Sequence, residues 1–250
     1  MRRVRAALRL ARAVGHGLRG LSVVLLVFPR LDERQRQERI RGWSLAMLRA
    51  MGIGLQVTGE PVEGGGLLAL NHVSWLDIMA LHAVVPRARF VSKADVGSWP
   101  LLSRLVDAAG TLYLERERKR DALRVVHAMA AALQQGHAVA IFPEGTTSTG
   151  HGLLPFHANL LQAAIATGTP VQPVALRFAD ATHPVSPAAE FVGATTLLQS
   201  LWRTACGEGL VVRLAFLPPV SAAGAERRAL AERLRGDIAA ALDAFQPALP

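Results

Sequence analysis

Leu67-Leu68-Ala69-Leu70-Asn71-His72-Val73-Ser74-Trp75-Leu76-Asp77 passes from an uncharged apolar run through a polar turn to an acid at the head of a second apolar stretch. Four consecutive apolar residues read as a strand buried on both faces. Ser74-Trp75-Leu76-Asp77 fits a Ser-x-x-acid capping box, which predicts a helix beginning near Ser74. The segment is therefore a strand-to-helix turn, where α/β proteins commonly place their sites. His72 falls in that turn. Residues five apart lie about 140° apart around a helix, so His72 and Asp77 can meet only if His72 sits in the loop before it. A neutral imidazole is a competent base near pH 7, and a carboxylate on its other nitrogen would hold the tautomer and offset the charge gained on protonation. Asp77 acting only as a cap is the plainer alternative, and both roles can coexist.

A second segment, Phe142-Pro143-Glu144-Gly145-Thr146-Thr147-Ser148, follows the apolar strand Ala138-Val139-Ala140-Ile141. Glu144 can accept hydrogen bonds from hydroxyls, and Gly145 lets the backbone approach a ligand with N–H groups free for an anion. A Pro-Glu-Gly turn without chemistry is the competing reading.

The two segments together resemble the catalytic and acceptor-binding signatures of the glycerolipid acyltransferases, the family that includes 1-acylglycerol-3-phosphate acyltransferase. Phe90-Val91-Ser92-Lys93 and Gly110-Thr111-Leu112-Tyr113-Leu114-Glu115-Arg116 are similar to the family's second block, and Val171-Gln172-Pro173-Val174-Ala175-Leu176 to its fourth. The resemblance implies His72 as general base and Asp77 as its orienting carboxylate. It places Arg116, Glu144, Gly145, Thr146 and Thr147 against the acceptor and Lys93 near the developing oxyanion. It implies no metal and no bound cofactor, with an acyl-CoA or acyl-ACP thioester as co-substrate and a lysolipid as acceptor.

The sequence departs from this pattern at one place. Members selective for lysophosphatidate often carry arginine after Glu-Gly-Thr, where this chain has Thr147. Arginine would give a fork of charge-assisted bonds to a phosphate, which threonine cannot replace. The acceptor is accordingly expected to be 1-acylglycerol-3-phosphate, with lyso-ornithine lipid or another zwitterionic lysolipid as the alternative.

Charge is concentrated at one end. Residues 1–49 hold twelve arginines against Asp32, Glu33 and Glu38, which accounts for the whole net charge of +9. An uncharged run, Gly20 to Pro29, lies between Arg19 and Arg30. It is too short to span a bilayer, which needs roughly 20 residues, and no small-residue cleavage site follows, so the run is read as retained. Ile40, Trp43, Met47, Leu48 and Met51 share one helical face. Residues 1–51 are therefore expected to form two basic amphipathic helices that anchor the chain on an anionic membrane lipid surface, on its cytoplasmic face, rather than on nucleic acid. The alternative is a helix pair packed on the domain with its arginines in water.

Residues 52–250 are expected to form the catalytic domain. Apolar strands near Gln56–Thr58, Leu67–Leu70, Arg89–Val91, Thr111–Leu114, Ala138–Ile141, Val171–Phe178 and Val211–Phe216 alternate with helices near Ser74–Ala83, Pro100–Ala108, Asp121–Gln135, Ala158–Thr167 and Ala225–Phe245. This is the pattern of an α/β fold around a mixed central sheet flanked by helices. The single cysteine, Cys206, excludes an intrachain disulfide framework. There is no nucleotide P-loop, no full dinucleotide fingerprint around Gly52-Ile53-Gly54, and no Gly-x-Ser-x-Gly elbow, which Ser148 only half fits. A lipid-surface hydrolase using His72 on water and a noncatalytic membrane-binding protein are the competing functions. The latter leaves His72, Asp77 and Glu144 without a role.

Overall fold

The computed structural model of the chain describes residues 2–93, 102–114 and 119–245. Strands β1 (Gly54–Thr58), β2 (Gly66–Leu70), β3 (Arg89–Lys93), β4 (Leu112–Leu114), β5 (Ala138–Ile141), β6 (Val171–Ala179) and β7 (Val211–Phe216) form one sheet in the order β1-β7-β6-β2-β5-β3-β4. β6 and β7 pair antiparallel and every other neighbour pairs parallel. The sheet is thus mixed, and each strand lies where the apolar pattern placed it.

β2 is the centre of the molecule and all five of its residues are buried. Its alternate side chains enter different cores, as the pleat requires. Leu68 and Leu70 join the core with α1 (Arg2–Leu26), α2 (Glu33–Ala50) and α3 (Leu76–Val84). Leu67 and Ala69 join the core with α5 (Lys119–Gln134), α6 (Gln162–Thr167) and α8 (Arg227–Ala244). A short helix, α4 (Leu102–Ala108), precedes β4. Register does the rest: Ala69 stands beside Ile141 of β5 and Leu70 beside Val174 of β6. Parallel strands in that register deliver the turns after β2 and β5 side by side at one edge of the sheet.

The N-terminal segment differs from its expected arrangement. The uncharged run is split: Gly20 to Leu26 ends a single helix that starts at Arg2, and Phe28 and Pro29 fall in a 3₁₀ turn, Phe28–Arg30, that leads into α2. Met47, Leu48 and Met51 of the stripe expected to face lipid are buried in the core with β2 and α3. Trp43 stacks on His16 and donates its indole N–H to the His16 carbonyl, 3.3 Å away. The physical reason is that α1 and α3 bury the apolar face of α2 more completely than a lipid surface would. Ala6, Ala13 and Gly20, seven apart, form the buried line of α1. One helix was not anticipated, α7 (Leu197–Cys206), whose start is fixed by reciprocal hydrogen bonds between Thr196 and Gln199. Among the described residues no helix is long and apolar enough to cross a membrane.

A Cβ at Gly20 would lie 2.3 Å from Trp43 Nε1. Gly20→Val is expected to cost the about 1–3 kcal/mol typical of overpacking, which for a chain of this size lowers Tm by about 2–4 °C per kcal/mol. Thermal unfolding checks this, and an unchanged Tm would mean that α1 does not rest on Trp43.

Candidate active site

The turn after β2 is built by side chains that replace backbone partners. Asn71 donates its amide to the Leu176 carbonyl at 2.9 Å and accepts from the Leu176 N–H at 2.8 Å. The pair copies a peptide and extends the β2–β6 pairing by one residue. Trp75 is already in helical conformation (φ −58°, ψ −21°), so the helix begins just beyond Ser74, but of the expected capping box only the acid half forms, Asp77 accepting the Ser74 N–H while the Ser74 hydroxyl does not cap. His72 is left in the loop and its ring can turn back on the helix start.

That ring meets Asp77. Nδ1 of His72 lies 2.8 Å from Asp77 Oδ2, and the same oxygen accepts from the N–H groups of Val73 at 2.7 Å and Ser74 at 3.0 Å. The cap on the helix start and the partner of the His72 ring are therefore one and the same Asp77 oxygen. An oxygen that already accepts two backbone N–H groups has no proton to give, so Nδ1 carries the proton and donates it. Nε2 is then the basic nitrogen. The carboxylate is fully buried while the imidazole side chain keeps 18 % exposure, which leaves the ring reachable from solvent. Its face rests on Phe142, with centroids 3.8 Å apart and planes 12° from parallel, and Phe142 stacks in turn on Phe90.

Glu144 holds the other side of the His72 backbone. Its Oε1 accepts from the His72 N–H at 2.7 Å and its Oε2 from the Leu154 N–H at 2.9 Å. It is only 2 % exposed. Burial pushes its carboxyl above the usual glutamate range, opposed by the donated N–H groups of Leu154 and His72. The His72 carbonyl accepts from Ser148 N–H at 2.8 Å. Gly145, at φ +69°, donates its N–H to the Phe142 carbonyl at 3.0 Å and closes the turn, so this N–H is not one kept free for an anion.

Comparison with known proteins agrees with this geometry. The family model described as Acyltransferase matches residues 54–177, the span from β1 to β6 that carries both turns. A 1-acyl-sn-glycerol-3-phosphate acyltransferase of Neisseria meningitidis is 41% identical over 78% of this chain and 76% of its own length. A lyso-ornithine lipid O-acyltransferase of Pseudomonas aeruginosa is 36% identical over 97% of this chain and 95% of its own. The chain belongs to the acyltransferase family. Its fold is that of the crystal structure of the 1-acyl-sn-glycerophosphate acyltransferase PlsC from Thermotoga maritima, with a TM-score of 0.74, 19% identity and 97% of each chain covered.

The remaining expected site residues of this acyltransferase are placed unevenly. Thr146 is exposed at the tip of the turn after β5. Thr147 instead gives its hydroxyl to the Phe191 carbonyl, while the Phe191 N–H bonds the Val73 carbonyl at 3.2 Å. The segment leading into α7 is thereby stitched to both turns, a tie with no short-range sequence signal. Lys93 ends β3, beside Leu114 in register, on a strand parallel to β2 and β5. Arg116 lies outside the described residues. Among the described residues no group of histidine, cysteine, aspartate or glutamate side chains has metal-binding geometry.

Glu144→Gln leaves one buried N–H facing an amide N–H₂, which costs about 1–3 kcal/mol. Because the folded pKa of Glu144 is raised, its protonated form favours the native state, and that contribution is present below the unfolded value and lost as pH rises through the folded one. The stability of the native protein relative to Glu144→Gln should therefore fall as pH rises from about 4 across that window, measured by denaturant unfolding at several pH values. A constant difference would show that Glu144 does not titrate there.

Proposed function

We propose that the protein transfers a fatty acyl group from an acyl thioester to the free hydroxyl of a lysolipid. The observation that carries this reading is the bond between His72 Nδ1 and Oδ2 of the buried Asp77, an oxygen that also accepts the N–H groups of Val73 and Ser74. It leaves Nε2 to take the proton of the acceptor hydroxyl as its oxygen attacks the thioester carbonyl carbon. The tetrahedral intermediate then collapses, the carbon–sulfur bond breaks, and the thiolate recovers the proton from the imidazolium. Asp77 favours that imidazolium, as in the triads of hydrolases. Lys93, and Arg116 beyond the described residues, are the cations we assign to the oxyanion and the acceptor head group. Either coenzyme A or acyl carrier protein can present the thioester to this chemistry.

We assign 1-acylglycerol-3-phosphate as the first acceptor, supported by the relatives bearing that name at 41% and 38% identity. Lyso-ornithine lipid is the second reading. It is supported by Thr147 in place of arginine, its hydroxyl already engaged by Phe191, and by the end-to-end match to a lyso-ornithine lipid O-acyltransferase. Purified protein incubated with a labelled acyl thioester and both acceptors should form the acylated lipid, whereas release of free fatty acid alone would identify a hydrolase. His72→Ala should lower turnover by ~10² to 10⁴ without unfolding the protein. Near-normal turnover would end the assignment.

We also propose that the enzyme works on the cytoplasmic face of an anionic membrane, through α1 and not through the Trp43 face. Val4, Leu8, Val14, Leu18, Leu25 and Leu26 of α1 are each at least half exposed. Arg5, Arg12 and Arg19, seven apart and exposed, run along the edge of that apolar face. Such a helix suits the boundary between head groups and acyl chains. Because Met47 and Leu48 belong to the core, point variants test this better than removal of residues 1–49. Val14→Glu with Leu18→Glu should weaken binding to anionic vesicles at least about tenfold, and salt should weaken but not abolish binding of the unmodified chain. Undiminished cosedimentation of the double variant would exclude α1 as the docking face.

A further inference from the structure

We propose that Arg235, on α8, is a positioning residue for the general base, acting on His72 through Leu154 and Glu144. The proposal rests on the acyltransferase reading of the His72 site.

A base is effective only while its nitrogen stays within hydrogen-bond reach of the hydroxyl, and a misplacement of about 1 Å can cost ~10² in rate. The His72 ring is oriented by Asp77 and Phe142, but its main chain is fixed by Glu144 and Ser148. Glu144 is buried, so water cannot take the place of a lost partner. Its orientation depends on Oε2 finding the Leu154 N–H at 2.9 Å.

Leu154 has no helix or strand to hold it. His151, Gly152, Leu154, Pro155 and His157 are all exposed, so this segment needs outside ties. One is the His157 N–H to the Pro143 carbonyl, at 2.8 Å. A second is the packing of Leu153 and Phe156 against Ile238 and Leu242 of α8 and their sheet neighbours. Arg235 adds two polar ties: its Nη2 donates to the Leu153 carbonyl at 2.7 Å and its Nε to the Leu154 carbonyl at 3.1 Å. Two N–H groups of one rigid plane on successive carbonyls set the direction of the strand of chain between them, which a lysine ammonium cannot do. Arg235 is itself exposed, but the helix that carries it is fixed, because Leu234 and Ile238 of α8 are fully buried. Force can thus pass from α8 to the Leu153–Leu154 carbonyls, from the Leu154 N–H to Glu144, and from Glu144 to the His72 N–H. Arg235 does not touch the reacting atoms in this arrangement.

The full-length protein should be compared with Arg235→Ala, Arg235→Lys, Glu144→Gln and the Arg235→Ala/Glu144→Gln double variant. With lysophosphatidate and with a zwitterionic lysolipid, Arg235→Ala should lower kcat by the same factor, roughly tenfold, with little change in KM, and Arg235→Lys should not restore it. The double variant should be no slower than Glu144→Gln alone, because both changes cut one chain of contacts. Backbone hydrogen exchange at Leu154 and His72 should be faster in Arg235→Ala. A rise in KM confined to the phosphate-bearing acceptor would mark Arg235 as a head-group contact and overturn the proposal. Multiplying effects in the double variant, or unchanged exchange at both amides, would overturn it as well. Exchange is measured without substrate, so it decides the role of Arg235 even if the unmodified protein turned over neither lysolipid, a result that would instead remove the proposed function.

Discussion

Three N–H groups converge on Asp77 Oδ2: the His72 ring and the main chains of Val73 and Ser74. A fully buried carboxylate is expensive to desolvate unless donors surround it, and here the donors come from the very turn the carboxylate caps. The helix start, the loop conformation and the imidazole tautomer are therefore one interaction. Moving any member would leave buried charge uncompensated. The rest of the architecture serves to keep this turn at the end of β2, with Asn71 binding β6 on one side and Glu144 reaching from the end of β5 on the other.

This dependence explains the division of labour between the two turns. In the proposed mechanism the turn after β2 carries the chemistry, and the turn after β5 supports it: Phe142 under the ring, Glu144 on the N–H, Ser148 on the carbonyl. Glu144 was expected at the acceptor, yet both its oxygens face backbone N–H groups. A buried acid so engaged is better suited to holding geometry than to binding an exchangeable ligand. The loop before α7 is organised in the same way, by Asp180. Burial alone would raise its carboxyl, but hydrogen bonds from Ser186, Thr182 and His183 hold it well below the usual range. That loop joins the site through Phe191, whose carbonyl accepts the Thr147 hydroxyl.

Much of this was legible in the sequence because the deciding signals are local. Runs of four apolar residues mark β2 and β5 as buried strands, and shorter or broken apolar runs mark the other five. Ser74 to Asp77 marks a helix start, and with His72 in the loop before it the five-residue spacing allows the pair to meet. What was not legible depends on distant partners. The stripe through Trp43, Met47, Leu48 and Met51 has the same period whether it faces lipid or protein, and only the presence of α1 and α3 decides. Helix α7 was missed because it is only ten residues long and its start rests on Thr196 and Gln199, a capping pair that is a weak cue alone. The ties from Thr147 to Phe191 and from Arg235 to Leu153 and Leu154 join residues 44, 82 and 81 positions apart, beyond any sequence period.

The account stands on the tautomer of one ring. Nitrogen NMR of the protein labelled at histidine reads it directly, with Asp77→Asn as the reference that breaks the pair. For neutral His72 the geometry requires a protonated Nδ1 and an unprotonated Nε2, with the Nδ1 signal shifted by its carboxylate partner and that shift lost in Asp77→Asn. A neutral His72 protonated on Nε2 in the unmodified protein would contradict the account, because the nitrogen that must accept the hydroxyl proton would already hold one.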